Sequence, residues 1–201
     1  MQGAKVRQDG ETGREGQGRD RPAPAGRKGL VLVFTGNGKG KTTAALGMAL
    51  RAVGHDMQVL VIQFIKSDWR YGELMAIERL APQLELRRHG AGFTWGAKDE
   101  DGRERHRRAA AEALALAREA VAAGQHDIII LDEICTAVLA GLLAPQDVLA
   151  LLALRPPTMH LALTGRGAPD VLIERADMVT EMREVKHHFQ QGVKAQKGVE
   201  F

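Results

Sequence analysis

Short apolar runs alternate along this chain with longer segments in which small and apolar residues recur every three or four positions. The runs at 31–34, 58–65 and 127–133 are rich in Val, Ile, Leu and Phe, which is typical of strands buried on both faces of a parallel sheet. Ala- and Leu-rich segments with helical spacing follow the first run and precede the third, and Gly54 and Gly124 mark their ends. The pattern predicts one α/β domain with a mostly parallel sheet and helices on both faces.

Weaker signals complete the expected order of elements. Before the third run we expect a short helix at 73–80, a break at Pro82, a short strand at 84–88, a loop at 89–102 and a long helix at 103–123. After it we expect helices at 134–143 and 145–154, a strand at 158–163, a helix at 168–176, a strand at 178–182 and a polar tail at 185–201.

The first 29 residues differ in composition from the rest of the chain. They are rich in Gly, Arg and Gln and have little apolar surface to bury, so they cannot offset the entropy cost of ordering. We expect a flexible N-terminal arm at 1–29 ahead of a single domain at 30–201. The arm is either a solvated tail or a segment that orders over an active site or a neighbouring subunit.

The first strand is joined to the first helix by residues 36–43, GNGKGKTT, which we call the glycine-rich loop. Strand, loop and helix in this order are the setting of a phosphate-binding loop. The three glycines allow a tight turn whose N–H groups point at one anion, and the helix adds its positive end. Lys41 supplies a full positive charge, and the Thr42 hydroxyl is where such loops place a Mg²⁺ ligand. The loop therefore indicates binding of a nucleoside triphosphate.

The spacing of this loop departs from the usual G-x-x-x-x-G-K-[ST] by one residue. Counting back from Gly40 places Thr35 where the first glycine is expected, so the loop read from Gly36 is one residue short. The alternative interpretation is a glycine-rich turn that carries an incidental lysine. The flanking strand and helix argue against that alternative.

The run at 127–133, DIIILDE, ends in two carboxylates, Asp132 and Glu133. A buried parallel strand delivers such residues to the carboxyl edge of the sheet, where ligands bind in open α/β folds. The alternative is a core strand that ends in solvated acids. Arg166, in the turn TGRG at 164–167, is expected near the same edge, where it either holds phosphate or is an exposed arginine in a glycine turn.

Length and composition restrict the class of protein. A chain of 201 residues with 44% hydrophobic and 26% charged residues is expected to form one soluble globular domain. The apolar runs are shorter than the ~20 residues of a membrane span, and the first residues lack a signal peptide's apolar core, so we expect a cytoplasmic protein without a membrane partner. The single cysteine, Cys135, agrees with a reducing compartment and is expected to be a small core residue rather than a nucleophile.

The net charge of +3 comes from the N-terminal arm. Residues 1–29 carry seven cationic and four anionic side chains, and because the whole chain has 28 and 25, residues 30–201 carry 21 of each. Sequence-independent binding of nucleic acid needs clustered cations, so we expect no nucleic-acid partner. The adjacent His187 and His188 lie on a polar tail without the Cys/His spacing of a zinc site, and we expect them to be solvated.

Aromatic residues make up only 4% of the chain, yet two of them lie close together in the glycine-flanked stretch GAGFTWG at 90–96. Phe93 and Trp95 belong to no segment of helical or strand period. Their rings either anchor the loop in the core or face a large flat or apolar ligand.

Taken in order, these motifs resemble those of the ATP:corrinoid adenosyltransferases of the bacterial cobalamin pathway. The resemblance covers about residues 30–201 and rests on the segments VFTGNGKGKTTAALG, RAVGH, QFIK, GFTW, LDE, TGRG and VKHHFQQGVKAQKGVEF. The arm departs from the family, whose members have a helix-forming, charged N-terminal segment over the corrinoid, because its glycines and prolines disfavour a helix. The resemblance implies a P-loop NTPase-like, RecA-like fold.

The resemblance also implies a reaction: transfer of the 5′-deoxyadenosyl group of ATP to the Co(I) of a corrinoid, with release of triphosphate, in adenosylcobalamin biosynthesis or salvage. ATP is then the co-substrate, Mg²⁺ the cofactor, and cobalt a part of the corrinoid, which is cobalamin, cobinamide or cobyrinic acid diamide. The implied partners are a flavoprotein reductant and a second copy of the chain in a homodimer. A P-loop ATPase or kinase and a nucleotide-dependent corrinoid-binding module are the alternative functions.

Site residues follow from the matching motif positions. The implied nucleotide contacts are Gly36, Asn37, Gly38, Lys39, Gly40, Lys41, Thr42, Thr43, Arg51 and Arg166. The implied Mg²⁺ ligands are Thr42 and Glu133, with Asp132 as a further candidate that hydrogen-bonds to them. Phe93 and Trp95 are implied to close the lower face of the corrinoid and to expel the ligand that stabilises Co(II) against reduction, and they join Lys41 as the catalytic residues.

Overall fold

The computed structural model describes residues 26, 28–65, 72–88 and 100–200. The strands in this part of the chain are β1 (Val31–Thr35), β2 (Val59–Gln63), β3 (Leu84–Arg88), β4 (Ile128–Asp132), β5 (His160–Thr164) and β6 (Met178–Glu181). The helices are α1 (Lys41–Val53), α2 (Gly72–Glu78), α3 (Glu100–Ala123), α4 (Ile134–Leu139), α5 (Pro145–Ala153) and α6 (Asp170–Arg175), and a 3₁₀ helix follows at His188–Gln191.

The strands form one parallel sheet in the order β3-β2-β4-β5-β1-β6. The fifth strand in sequence, β5, lies between β1 and β4 and pairs with both. Phe34 is opposite Thr164, and Gln63 is opposite Asp132, so these strands end at nearly the same level. The carboxyl ends of β1, β2, β4 and β5 therefore share one edge of the sheet.

Two apolar layers cover the faces of the sheet, and alternate strand residues enter each layer. Val31 and Val33 pack with residues of α3, α4, α5 and α6, whereas Leu32 and Phe34 pack with residues of α1 and α2. Burial of each large aliphatic side chain contributes roughly 1.5–3 kcal/mol, so both layers hold the sheet in place. This arrangement confirms the expected α/β class with helices on both faces.

Several element boundaries differ from the expected ones. The long helix α3 begins at Glu100 rather than at 103, with two acidic residues in its first turn that interact favourably with the positive end of the helix. The helix α4 ends at Leu139 instead of 143, because Gly141 adopts φ 69° and ends the helical path. The helix α6 spans only Asp170–Arg175, since Pro169 precedes it in an extended conformation. Glycine and proline therefore make α4 and α6 shorter than periodicity suggests, whereas α3 is longer.

Within the described residues, no helix is both long enough and apolar enough to span a membrane. The expected loop at 89–102 lies mostly outside the described residues, as do Phe93, Trp95 and most of the N-terminal arm.

Candidate nucleotide-binding site

The glycine-rich loop leaves the end of β1 and enters α1 at the carboxyl edge of the sheet. Gly36 and Gly40 have φ of 93° and 108°, a left-handed conformation that glycine adopts without strain. Gly38 approaches the segment after β6 closely, and its N–H donates a hydrogen bond to the Met182 carbonyl at 2.6 Å. A Cβ on Gly38 would lie 2.7 Å from the same carbonyl oxygen. Backbone geometry therefore requires glycine at these three positions.

Lys41, the first residue of α1, folds back over the loop. Its Nζ donates hydrogen bonds to the carbonyl oxygens of Gly36 at 2.8 Å and Gly38 at 2.7 Å. Burial lowers the pKa of Lys41 below its ordinary value, while Glu133 opposes the shift and Arg166 adds to it. Hence a buried cation lies within the loop, next to a second cation and a carboxylate.

The Asp132 carboxylate, at the end of β4, is buried and accepts hydrogen bonds from three side chains. The Thr42 hydroxyl donates to its Oδ1 at 2.7 Å, and the Thr164 hydroxyl donates to the same oxygen at 2.8 Å. The Gln63 amide nitrogen donates to Oδ2 at 3.2 Å. A threonine hydroxyl that donates its proton to Asp132 keeps its oxygen lone pairs for a cation.

Glu133 follows β4 in a left-handed conformation with φ of 66°. Its backbone N–H donates to the Thr164 hydroxyl at 2.9 Å, and its carboxylate accepts a short hydrogen bond from the Thr136 hydroxyl. Thr136 in turn accepts a hydrogen bond from the backbone N–H of Arg166 at 2.9 Å. Residues from β4, α4 and the turn after β5 therefore form one connected network.

The structure brings together most of the residues expected at the site. The loop, Lys41 and Thr42 lie with Asp132 and Glu133 at one sheet edge, and the Arg166 turn joins them. Asn37 and Thr43 are exposed on the loop.

Two other expected nucleotide contacts, Arg51 and Lys39, have different surroundings, and their role in nucleotide binding stays a prediction. Arg51 lies in the last turn of α1, roughly 15 Å along the helix axis from Lys41 at 1.5 Å per residue, so this chain does not bring it to the loop. Lys39 pairs with Glu200 of the C-terminal segment, at 2.7 Å between Nζ and Oε1.

Sequence reasoning missed Gln63, Thr136 and Thr164. Gln63 and Thr164 are polar residues at the ends of apolar strands, which is a signal comparable to the acids at the end of β4. Gln63 is almost fully buried, and its Oε1 has no hydrogen-bond partner in the part of the chain that the structure describes. A buried unpaired amide oxygen next to Asp132 extends the polar surface of the site toward β2.

Cys135 lies two residues after Glu133, in the first turn of α4, and takes no part in the hydrogen bonds described above. Its side chain is buried, and burial raises the pKa of its thiol to about 12. A thiol with that pKa is almost wholly protonated near neutral pH and is a poor nucleophile. The prediction of a core cysteine is confirmed.

In this parallel sheet, β1 continues through the glycine-rich loop into α1. The strand β4, which ends in the acidic pair, is separated from β1 only by β5. This arrangement defines a P-loop NTPase-like α/β protein. The crystal structure of the flagellar accessory protein FlaH from Methanocaldococcus jannaschii is similar, with a TM-score of 0.54, 13% identity and coverage of 77% of this chain and 71% of that chain. At this identity the likeness concerns the fold alone.

The family comparison is more specific. The model of the family described as ATP:corrinoid adenosyltransferase BtuR/CobO/CobP matches residues 27–201. A corrinoid adenosyltransferase of Pseudomonas aeruginosa is 44% identical over 174 residues, which is 87% of this chain and 84% of the relative. The corrinoid adenosyltransferase of Escherichia coli K12 is 41% identical, and corrinoid adenosyltransferase CobA of Salmonella typhimurium is 39% identical, each over 87% of this chain and 86% of the relative. The chain therefore belongs to the ATP:corrinoid adenosyltransferase family, an enzyme family, and the expected resemblance is confirmed.

Proposed function

We propose that this chain binds ATP at the glycine-rich loop and transfers its 5′-deoxyadenosyl group to the cobalt of a corrinoid, with release of inorganic triphosphate. The observation that carries the proposal is the meeting of Lys41 with the hydrogen-bonded pair Thr42–Asp132 at one sheet edge, in a chain of this family. Cation, hydroxyl and carboxylate in this order are the parts needed to bind a metal-bound triphosphate.

The chemical step is a nucleophilic displacement at the ribose C5′. Co(I) provides the electron pair of the new Co–C bond, the C5′–O bond breaks, and its electrons leave on the triphosphate oxygen. Lys41 and the loop N–H groups neutralise the negative charge that grows on that oxygen. The whole triphosphate is the leaving group, so a loop that holds all of it suits this reaction better than a loop that prepares the γ-phosphate for attack.

The donor set of the site fits Mg²⁺, which prefers oxygen ligands. We propose that the Thr42 hydroxyl and the Glu133 carboxylate hold the ion, and that Asp132 keeps Thr42 oriented through their 2.7 Å hydrogen bond. When bound, Mg²⁺ supplies further charge neutralisation for the triphosphate.

We propose that Phe93 and Trp95 close the lower face of the corrinoid and thereby expel the ligand that stabilises Co(II). Both residues lie outside the described part of the chain, so the support is the match of GFTW to the family motif. The electron for Co(I) is proposed to come from a flavoprotein in the cytoplasm, and the active form is proposed to be a homodimer.

The test is an anaerobic assay with ATP, Mg²⁺ and chemically reduced cobalamin. We expect the visible spectrum of the alkylated corrinoid together with one equivalent of inorganic triphosphate. Release of orthophosphate or ADP without triphosphate contradicts the transferase and supports an ATPase or kinase. Lys41→Ala is expected to abolish turnover while corrinoid binding persists, whereas a wild-type chain that binds corrinoid without turnover supports the binding module.

A further inference from the structure

The chain after β6 returns over the glycine-rich loop. Met182 follows β6, and its carbonyl accepts the hydrogen bond from Gly38 described above. Cβ atoms built on Gly36 and Gly38 would lie 2.5 and 2.7 Å from the Met182 carbonyl oxygen, so the two backbones are in direct contact. One side of the loop therefore packs against this C-terminal segment.

The far end of the same segment contacts the loop a second time. Glu200 lies 2.7 Å from Lys39 of the loop and 2.9 Å from Nε2 of His188, and only 10% of the Glu200 side chain is exposed. The hydrogen bond from Lys39 lowers the pKa of Glu200 below its ordinary value, so the carboxylate is ionised at neutral pH. The link from Glu200 to His188 also ties the end of the segment to its own 3₁₀ helix.

We propose that residues 182–200 form a C-terminal clasp on the glycine-rich loop, in which Glu200 is a positioning residue that orders the loop through its ion pair with Lys39. The inference rests on the proposed function, because an ordered loop matters only if the loop binds triphosphate. A loop that is already held in its binding conformation loses less conformational freedom when the ligand arrives, so it binds more tightly. The C-terminal clasp holds the glycine-rich loop in place although its residues lie far from the loop in sequence.

An alternative interpretation of His187, His188 and Glu200 is a metal site. Ligand atoms of His187, His188 and Glu200 lie within 4.8 Å of one another, which suits a transition metal ion. Lys39 already places a full positive charge 2.7 Å from the Glu200 oxygen, and a cation at that oxygen would be repelled by it. We therefore assign the cluster to the loop, and the binding measurements below are repeated after removal of trace metals with a chelating resin. An effect of Glu200 variants that disappears after this treatment contradicts the assignment.

The test uses Glu200→Gln in the full chain, with inorganic triphosphate and Mg²⁺ as the probe in calorimetric titrations. Removal of a negative charge beside the site raises affinity for an anion by Coulomb's law, whereas loss of the clasp lowers it, so the two effects have opposite signs. We expect about fivefold weaker binding, the size of one partly exposed ion pair. Unchanged or tighter binding overturns the proposal. Wild-type chain that binds no triphosphate contradicts the proposed function instead.

Two further variants separate the ion pair from other effects. Glu200→Asp keeps the carboxylate and the net charge, and it is expected to bind triphosphate at least about twofold more tightly than Glu200→Gln because the ion pair with Lys39 persists. Equal affinity of these two variants overturns the role of the ion pair. Glu184→Gln removes the same charge from the same segment, but the Glu184 carboxylate accepts its hydrogen bond from Gln190 within that segment, so this control is not expected to weaken binding.

Discussion

At the scale of single residues, Asp132 organises the site through the hydrogen bonds that its carboxylate accepts. Thr42 and Thr164 donate to one carboxylate oxygen from two different elements, and Gln63 donates to the other. Thr164 also accepts the backbone N–H of Glu133, so one hydroxyl joins both acids to β5. Removal of this hydroxyl takes one partner from Asp132 and one from the Glu133 N–H, and loss of a buried hydrogen bond costs more than loss of an exposed one.

Thr164→Val removes this hydroxyl while it keeps the side-chain shape. We expect the free energy of unfolding to fall by about 1–3 kcal/mol, because Asp132 and the Glu133 N–H each lose a buried partner. Affinity for Mn²⁺-ATP, followed by electron paramagnetic resonance, is expected to fall about tenfold because the residues that orient metal ligands are disturbed. Thr180→Val on the exposed edge strand β6 is the control. Equal effects in both variants contradict the special position of Thr164.

Cys135 provides a test of reactivity. Burial raises the pKa of its thiol to about 12, so the folded chain at pH 8 is expected to react with a disulfide reagent at least about a hundredfold more slowly than the unfolded chain. Cys135→Ala is expected to retain adenosyl transfer. Rapid labelling of the folded protein, or loss of activity in a variant of unchanged melting temperature, shows instead that the thiol is used.

Phe93 and Trp95 are tested through the oxidation state of cobalt. If their rings expel the lower ligand of Co(II), alanine at either position harms the reaction that starts from Co(II) and a weak reductant, while the reaction from pre-reduced Co(I) loses much less. We expect a difference of about tenfold or more between the two losses. Equal losses in both assays remove the ligand-expulsion role and leave a role in corrinoid binding.

At the scale of elements, the turns at the carboxyl edge are held in place by backbone contacts. The Arg166 turn is an example: a Cβ on Gly165 would lie 2.5 Å from the backbone nitrogen of Thr136 at the start of α4. The glycine-rich loop likewise packs closely against the backbone of the segment after β6. Glycine at these turns therefore permits close approach between elements, in addition to the conformations that it allows.

The glycines of the loop and of α1 form a matched pair for testing this contact. Gly38→Ala is expected to destabilise the fold by about 1–3 kcal/mol and to weaken triphosphate binding, since the new Cβ overlaps the backbone of Met182 and Arg183. Gly47→Ala places its Cβ in open space on the exposed side of α1 and is expected to stabilise by about 0.5–1 kcal/mol. Thermal and denaturant unfolding measure both. A Gly38→Ala variant as stable as wild type contradicts the packing of loop and segment.

At the scale of the whole molecule, charge is balanced within the described domain. Three arginines of the long helix α3 are paired with nearby acids: Arg107 with Glu104, Arg108 with Glu112, and Arg118 with Asp147 of α5. Exposed pairs of this kind add little stability, but they reduce the uncompensated positive charge on that face.

This balance predicts how the whole molecule behaves toward nucleic acid. We expect the dissociation constant for a 20-base-pair DNA duplex, from fluorescence anisotropy, to be weaker than about 100 μM near physiological salt, since residues 30–201 offer no net cation surplus. Binding that tightens only at low salt agrees with the charge of the N-terminal arm. Micromolar binding at physiological salt contradicts the expectation.

The agreement between sequence and structure is best where one local signal suffices. The strand and the helix that flank the glycine-rich loop lie where the motif places them, and the weaker signal at 84–88 also forms the expected strand, β3. The helices α3, α4 and α6 have other boundaries because Gly141, Pro169 and acidic first turns act over one or two residues, below the resolution of a periodic pattern. His187 and His188, expected to be solvated, are half-buried, and His188 pairs with Glu200 of the tail.

The sequence by itself determined the α/β class, the glycine-rich loop with Lys41 and Thr42, and the acid pair, because each depends on neighbours within about ten residues. Tertiary structure alone decided that β5 lies between β1 and β4, and hence that Thr164 and Gln63 reach Asp132. It also decided that Glu200 returns to Lys39 across about 160 residues of chain. Strand order and long-range contacts depend on how apolar faces pack between distant segments, and no local pattern carries that information.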